Sequence, residues 1–346
     1  MKIAVITTTQ HPCKPELGWG AEKYIWDIVE CLNKEGHEII LFAKEGSKCP
    51  AKGELIVCSS EIEVLEKHKN ILHGVDIVHD WSATKLVHDY CQENYIKSIA
   101  TNFNVSFHHP KIHKNIVCVS DIHRYLGLSG KSGFEGTPWE KMVGYTGHLK
   151  DAKRVYVGIN LDDYKPKWDK EDYILYFNSF DYRKGITIAL DLAKNMGFKL
   201  ILAGEVKGHP EHIQTFKDLK PMMDEMPNVS YECDVSNERK IELMRNAKAL
   251  LFPTMFHQPF AVVVIEALAC GTPVIAINRG AMPEMIQHGV TGFLCNTLDD
   301  LATAINTIST LDGTNCRFDM IKRFDRKIMT EEYIRLYGMI LSGEEW

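Results

Sequence analysis

The chain has no Cys-x-x-Cys pair, no Gly-x-x-x-x-Gly-Lys-Ser/Thr, no Gly-x-Gly-x-x-Gly after a strand, no Asp-x-Asp and no apolar run of membrane-spanning length. Each absence removes a class. Ten cysteines scattered from Cys13 to Cys316 argue against both a zinc ribbon and a disulfide framework, and suit a reduced, cytoplasmic protein. Without their phosphate cradles, the P-loop and nicotinamide-dinucleotide readings fall away. The most apolar stretch, Phe260 to Cys270, is broken by Glu266, far short of the roughly 18 apolar residues a span needs. Met1 to Thr8 reads as a strand and not as a signal peptide. Charge is balanced too: 40 basic against 46 acidic residues give a net −6, which speaks against a nucleic-acid partner.

What remains is a globular composition, 45% apolar and 25% charged over 346 residues, long enough for two domains with a core each. Lys2–Thr8 and Ile39–Phe42 read as buried strands around a helix bearing Ile25, Ile28, Val29 and Leu32 and stopped by Gly36, the βαβ pattern of a parallel sheet. Asp76–His79, Ser98–Asn102 and Ile116–Val119 add strands. The rhythm restarts after Lys165: strands at Tyr173–Phe177, Lys199–Ala203, Val229–Tyr231, Ala249–Phe252 and Val274–Ile277 alternate with helices, one of them Phe260–Cys270. The polar segment Asp162–Asp172 is expected to be an exposed hinge. Of the 15 histidines 11 precede position 165. His108, His109, His113 and His123 lack helical i, i+4 spacing and are expected at the surface, with no metal.

Two places carry chemistry. Gly18-Trp19-Gly20-Ala21-Glu22 opens the first helix, where bare N–H groups and the positive end of the dipole suit a phosphate, although a flexible turn explains the glycines equally well. In the segment Phe252 to Ile275, Glu266 interrupts an apolar helix. A buried carboxylate costs several kcal/mol unless something binds it, and either a ligand's hydroxyl pair or an ion pair within the chain would do so.

That segment resembles the retaining glycosyltransferases of family 4. The resemblance continues through Trp19-Gly20-Ala21-Glu22, Gly36-His37-Glu38, Val78-His79-Asp80, Val117-Cys118-Val119-Ser120, Val157-Gly158-Ile159-Asn160, Lys184-Gly185, Pro283-Glu284, Gly289-Val290-Thr291-Gly292-Phe293 and Arg323-Phe324. It implies an α/β protein of GT-B architecture, with two Rossmann-like domains facing each other across a cleft: residues 1–165 on the acceptor side, 166–325 on the nucleotide-sugar side, and 326–346 crossing back onto the first domain. The implied activity is transfer of a hexose, with retention, from a nucleoside diphosphate sugar, UDP- or GDP-linked, to a sugar or lipid-linked acceptor. No cofactor or metal is expected, and contact is with the membrane surface at most. Glu266 would take the ribose hydroxyls. Lys184 would neutralise the diphosphate, helped by backbone N–H groups of Ala261, Val262 and Val263, with Phe260, Ser179 and Gly20 completing the donor site and Gln258 facing the transferred sugar. The base would lie near Tyr231–Ser236.

The sequence departs from the family at four slots: Gln258 stands where an acidic residue is usual, Ser179 where an arginine is, Ala261 where a glycine is, and Thr101-Asn102-Phe103 replaces Thr-x-His. Ser179 and Gln258 keep one rival open, a catalytically weakened relative that binds a nucleotide sugar or a partner transferase; a sugar-nucleotide 2-epimerase of the same architecture ranks below it, because the segment around Glu266 matches the transferases better.

Overall fold

A computed structural model of the protein describes residues 1–7, 11–16, 20–103, 114–129 and 151–346. They form two compact units. One takes the described residues up to Asn160 together with Arg323–Trp346, and the other takes Leu161–Lys322.

The first unit is built from β1 (Lys2–Ile6), α1 (Ala21–Lys34), β2 (Glu38–Ala43), β3 (Gly53–Val57), α2 (Glu61–Lys67), α3 (Lys69–Leu72), β4 (Ile77–Asp80), α4 (Leu86–Glu93), β5 (Ser98–Asn102), β6 (Ile116–Cys118), α5 (Asp121–Ser129) and β7 (Lys153–Arg154). Its strands form one parallel sheet in the order β3-β2-β1-β4-β5-β6-β7. The central strands are buried on both faces, which is why they read as continuous apolar runs.

The second unit follows the same plan with β8 (Ile174–Phe177), α6 (Ile186–Met196), β9 (Leu200–Gly204), α7 (Pro210–Asp224), β10 (Val229–Cys233), α8 (Asn237–Asn246), β11 (Ala249–Phe252), α9 (Val262–Ala269), β12 (Val274–Ile277), α10 (Met282–Met285), β13 (Gly292–Cys295), α11 (Leu298–Thr307) and α12 (Gly313–Arg323). Its parallel sheet runs β10-β9-β8-β11-β12-β13.

The last helix, α13 (Arg326–Leu341), belongs to the first unit. Arg326 pairs with Asp27 at 3.4 Å and with Glu30, both on α1. Beyond this ion pair, the Tyr337 hydroxyl lies 2.7 Å from His79 Nδ1, and the Tyr333 hydroxyl 2.8 Å from Thr101 Oγ1, which itself meets His79 Nε2 at 2.8 Å. His79 is fully buried within this network, and burial pushes its pKa well below the ordinary imidazole value.

One expectation is qualified and one is corrected. Asp162–Asp172 is largely exposed, as expected, but it is also tied to the ends of two helices. Lys170 Nζ caps the carbonyls of Arg245 (2.9 Å) and Cys270 (3.1 Å) and meets Thr272 Oγ1 at 2.7 Å, and the Glu171 N–H donates to the Asn246 carbonyl at 2.7 Å. Lys170 and the Glu171 backbone thus satisfy carbonyls at the ends of α8 and α9, while Asp162, Asp163, Lys165, Asp169 and Asp172 face water. His123 is fully buried, because it and Leu126, three residues on, share the inner side of α5. His108, His109 and His113 lie outside the described residues.

Candidate functional site

In the second sheet the chain leaves β8 toward β9 and β10, then returns to the other side of β8 as β11. The loops at the carboxyl ends of β8 and β11 therefore diverge, and in open α/β sheets ligands bind outside the strand ends at such a switch point. Ser179, Lys184, Gln258, Phe260, Ala261, Val262 and Val263 all lie on these two loops or on the first turn of α9. Gly20 is in the first unit, at the N-cap of α1 with φ 90°. Gly18 and Trp19 lie outside the described residues.

After β8, Asp181 caps a single 3₁₀ turn, Tyr182–Lys184, by accepting the Arg183 N–H at 2.8 Å. The same carboxylate holds the Arg183 guanidinium, with Nε 2.8 Å from Oδ2 and 3.0 Å from Oδ1. Burial works against the Asp181 charge, yet these bonds keep its carboxyl below the ordinary value. The neighbouring arginine is thus turned onto Asp181, while Ser179 fills the strand-end slot.

Lys184 ends this turn and reaches across to the other loop. Its Nζ lies 3.1 Å from Gln258 Oε1 and 4.8 Å from the Phe256 ring centroid. Burial pushes it down to about 8, with Asp181 opposing that fall and Arg183 adding to it. Gly185 follows with φ 76°, and a Cβ there would lie 2.1 Å from the Pro253 carbonyl oxygen. The close approach of the two loops depends on this residue. Gly185→Ala is expected to lower stability by about 3 kcal/mol, from positive-φ strain and overpacking together. Urea unfolding measures it, and a loss below about 0.5 kcal/mol would mean that the loops can separate freely.

Gln258 is engaged at both ends: Oε1 accepts from Lys184, and Nε2 donates to the Phe260 carbonyl at 3.1 Å. Its backbone is gripped as well. The Ala281 N–H donates to the Gln258 carbonyl at 3.0 Å, and Gly280, at φ 62°, has room for no side chain, since a Cβ would sit 2.5 Å from the Gln258 nitrogen. Ala261 then caps α9 with no side-chain hydrogen bond at that N-terminus. A lysine ammonium and an uncapped helix N-terminus, bridged by one amide, form a cationic corner suited to an anion.

Glu266 lies one turn further along α9 and is buried. Sequence reasoning left two explanations for this carboxylate, and the structure supplies the one within the chain. Lys240 Nζ and the Tyr164 hydroxyl each stand 2.6 Å from Oε1. Neither partner was foreseen. The signal for Lys240 was present, since it shares the buried stripe of α8 with Leu243 and Met244 at i+3 and i+4. Tyr231–Cys233, expected near the base, closes β10 at the sheet's edge, where the Tyr231 hydroxyl donates to Asp224 at 2.9 Å.

Residues 160–324 match the family model described as glycosyl transferases group 1. That segment, a little under half of the chain, is similar to the group 1 glycosyl transferases. Among curated relatives, the human alpha-1,3/1,6-mannosyltransferase ALG2 is 32% identical over 149 residues, 39% of this chain and 35% of ALG2. The match therefore spans about a third of that relative's length.

Fold similarity extends over the whole chain. The solved structure of AviGT4, a glycosyltransferase involved in avilamycin A biosynthesis, covers 100% of this chain and 99% of its own at 20% identity, with a TM-score of 0.75. Anabaena Alr3699/HepE, solved in complex with UDP-glucose, covers 98% and 99% at 17% identity, with a TM-score of 0.73. The fold is GT-B, an α/β architecture of two Rossmann-like units. Among the described residues no helix is long and apolar enough to cross a membrane.

Proposed function

We propose that the protein is a retaining glycosyltransferase that moves a hexose from a nucleoside diphosphate sugar to a sugar or lipid-linked acceptor. The observation that carries the reading is the contact between Lys184 and Gln258 beside the uncapped start of α9. A departing nucleoside diphosphate gathers negative charge, and fixed positive groups at that spot stabilise it as the bond to the sugar breaks. Lys184 and the N–H groups of Ala261, Val262 and Val263 are assigned that work, Glu266 the ribose hydroxyls, and Gln258 and Phe260 the rim next to the sugar. No metal is assigned a part, so EDTA is expected to leave transfer unchanged. The ten cysteines, all free in the structure, suit work in the cytoplasm, on acceptors in solution or at the inner membrane surface.

Incubating the protein with UDP-glucose, GDP-mannose and ADP-glucose, with and without glycan acceptors, tests this reading through released diphosphate. Release that depends on an acceptor is expected, and none with any donor would refute transfer.

A second reading, a weakened relative that binds donor without efficient transfer, is favoured by the occupied amide of Gln258 and by Arg183 being spent on Asp181. Gln258→Glu separates the two. A carboxylate makes hydrogen bonds roughly twice as strong as an amide's to sugar hydroxyls, so turnover at saturating donor is expected to rise in a weakened enzyme. In a competent one it stays flat or falls, because the new charge pairs with Lys184.

A further inference from the structure

We propose that Lys240 and Tyr164 are positioning residues for donor recognition: they hold the Glu266 carboxylate by one oxygen so that the other is presented to a vicinal diol, the ribose hydroxyls of a nucleoside diphosphate. The inference rests on the donor reading above and goes beyond it in naming what orients the carboxylate.

The three side chains are buried together, with Tyr164 1%, Lys240 3% and Glu266 4% exposed. Both short contacts, Lys240 Nζ and the Tyr164 hydroxyl at 2.6 Å, fall on Oε1. Among the described residues neither of these hydrogen bonds falls on Oε2. Two donors on one oxygen, one of them an ammonium, fix the rotation of the carboxylate. Direction follows from the helix. Side chains on an α-helix lean toward its N-terminus, and Val262 and Val263 precede Glu266 by four and three residues, so the carboxylate leans toward the turn that Gln258 and Lys184 adjoin.

Tyr164 is itself fixed. Arg317 on α12 donates from Nη1 to the Tyr164 carbonyl at 2.8 Å and to the Ala269 carbonyl at 3.0 Å, and from Nη2 to the Leu161 carbonyl at 3.0 Å. One guanidinium therefore ties the backbone that carries the tyrosine to the last turn of the helix that carries the glutamate. Lys240 is set by α8, whose Ser236 cap accepts the Arg239 N–H at 3.2 Å. An acceptor assembled from three separate stretches of chain is held before any ligand arrives, so its orientation costs the ligand nothing on binding.

The test is discrimination between ribose and deoxyribose. Calorimetric titration compares UDP, GDP and ADP with their 2′-deoxy counterparts on the wild-type chain, Lys240→Met, Lys240→Arg and Tyr164→Phe. The wild type is expected to prefer the ribose form of its diphosphate by about tenfold or more, as for a hydrogen bond to a charged acceptor. Lys240→Met is expected to bring the ratio close to one, Lys240→Arg to restore most of it, and Tyr164→Phe, which removes one hydroxyl and keeps the ring, to lower it by a smaller factor.

A merely structural lysine would lose affinity for both forms equally, and a Lys240→Met ratio equal to the wild-type ratio would overturn the proposal. A wild type that binds a diphosphate without preferring ribose would overturn it too, while leaving the donor site standing. A wild type that binds none of the diphosphates would remove the donor reading and this inference together.

Discussion

Glu266→Ala is expected to lower the stability of the second unit by about 3 to 5 kcal/mol, the usual cost of leaving one partner of a buried ion pair alone. The reason is Lys240. Its side chain is 3% exposed, with Nζ 2.6 Å from the carboxylate that the substitution removes. Lys240→Met is expected to cost a similar amount, because it leaves the carboxylate buried without its cation. The pair Lys240→Met with Glu266→Leu removes both charges, and buried ion pairs replaced by apolar residues of similar volume are often neutral or better. The double variant is therefore expected near wild-type stability, with a coupling energy of about 3 kcal/mol or more between the sites. Scanning calorimetry on the four proteins measures this. Single variants within about 1 kcal/mol of wild type would mean that water reaches the pair and screens it.

The result also bears on function. A Glu266→Ala protein that fails to bind a nucleoside diphosphate has two explanations, lost ribose contacts or a loosened α9. The double variant separates them, since it restores the packing and leaves the carboxylate missing.

Much of the fold could be read in advance because parallel strands buried on both faces are plain apolar runs. Ala249–Phe252 and Val274–Ile277 form strands with those same bounds, and α6 stops where Gly197 takes a positive φ of 75°. What escaped notice lacked that signature. β3 is half-exposed at the sheet's edge, β7 is two charged residues set in place only by pairing with β6, and α7 is long but polar with Pro221 inside it. These elements owe their form to neighbours and not to local pattern.

The candidate site divides in the same way. Lys184 and Gln258 lie on loops flanking recognisable strands, so both could be named from the sequence, and the structure brings them to 3.1 Å. The partners of Glu266 could not, being 26 and 102 residues away. Spacing told that the carboxylate needed a partner; only the packing of α8 on α9 told which. Asp181 escaped for a related reason. It follows β8 by four residues like any loop aspartate, and its grip on Arg183 appears only once the turn is built.

Lys184→Ala is expected to weaken binding of the nucleoside diphosphate by about tenfold to a hundredfold, the range for a hydrogen bond to a charged group, and to leave binding of the bare nucleoside unchanged. The difference between the two ligands is the informative quantity, because a lysine that merely props the Gln258 loop would affect both alike. Acidity supplies a second, independent sign. Burial, opposed by Asp181 and aided by Arg183, brings Lys184 down to about 8. Below that value the ammonium is charged and attracts the diphosphate; above it the charge is lost. Wild-type affinity for the diphosphate is therefore expected to fall as pH rises from about 7 to about 9, where an ordinary lysine would still be fully protonated. Affinity for the nucleoside is expected to stay flat over the same interval. Lys184→Arg keeps its charge throughout, so it is expected to bind the diphosphate with no such fall, and Lys184→Ala to bind it weakly at every pH. Calorimetric titration at three pH values settles the matter. A wild-type curve that follows the nucleoside's, flat across the interval, would place the Lys184 ammonium away from the diphosphate and return the anion to the start of α9 alone.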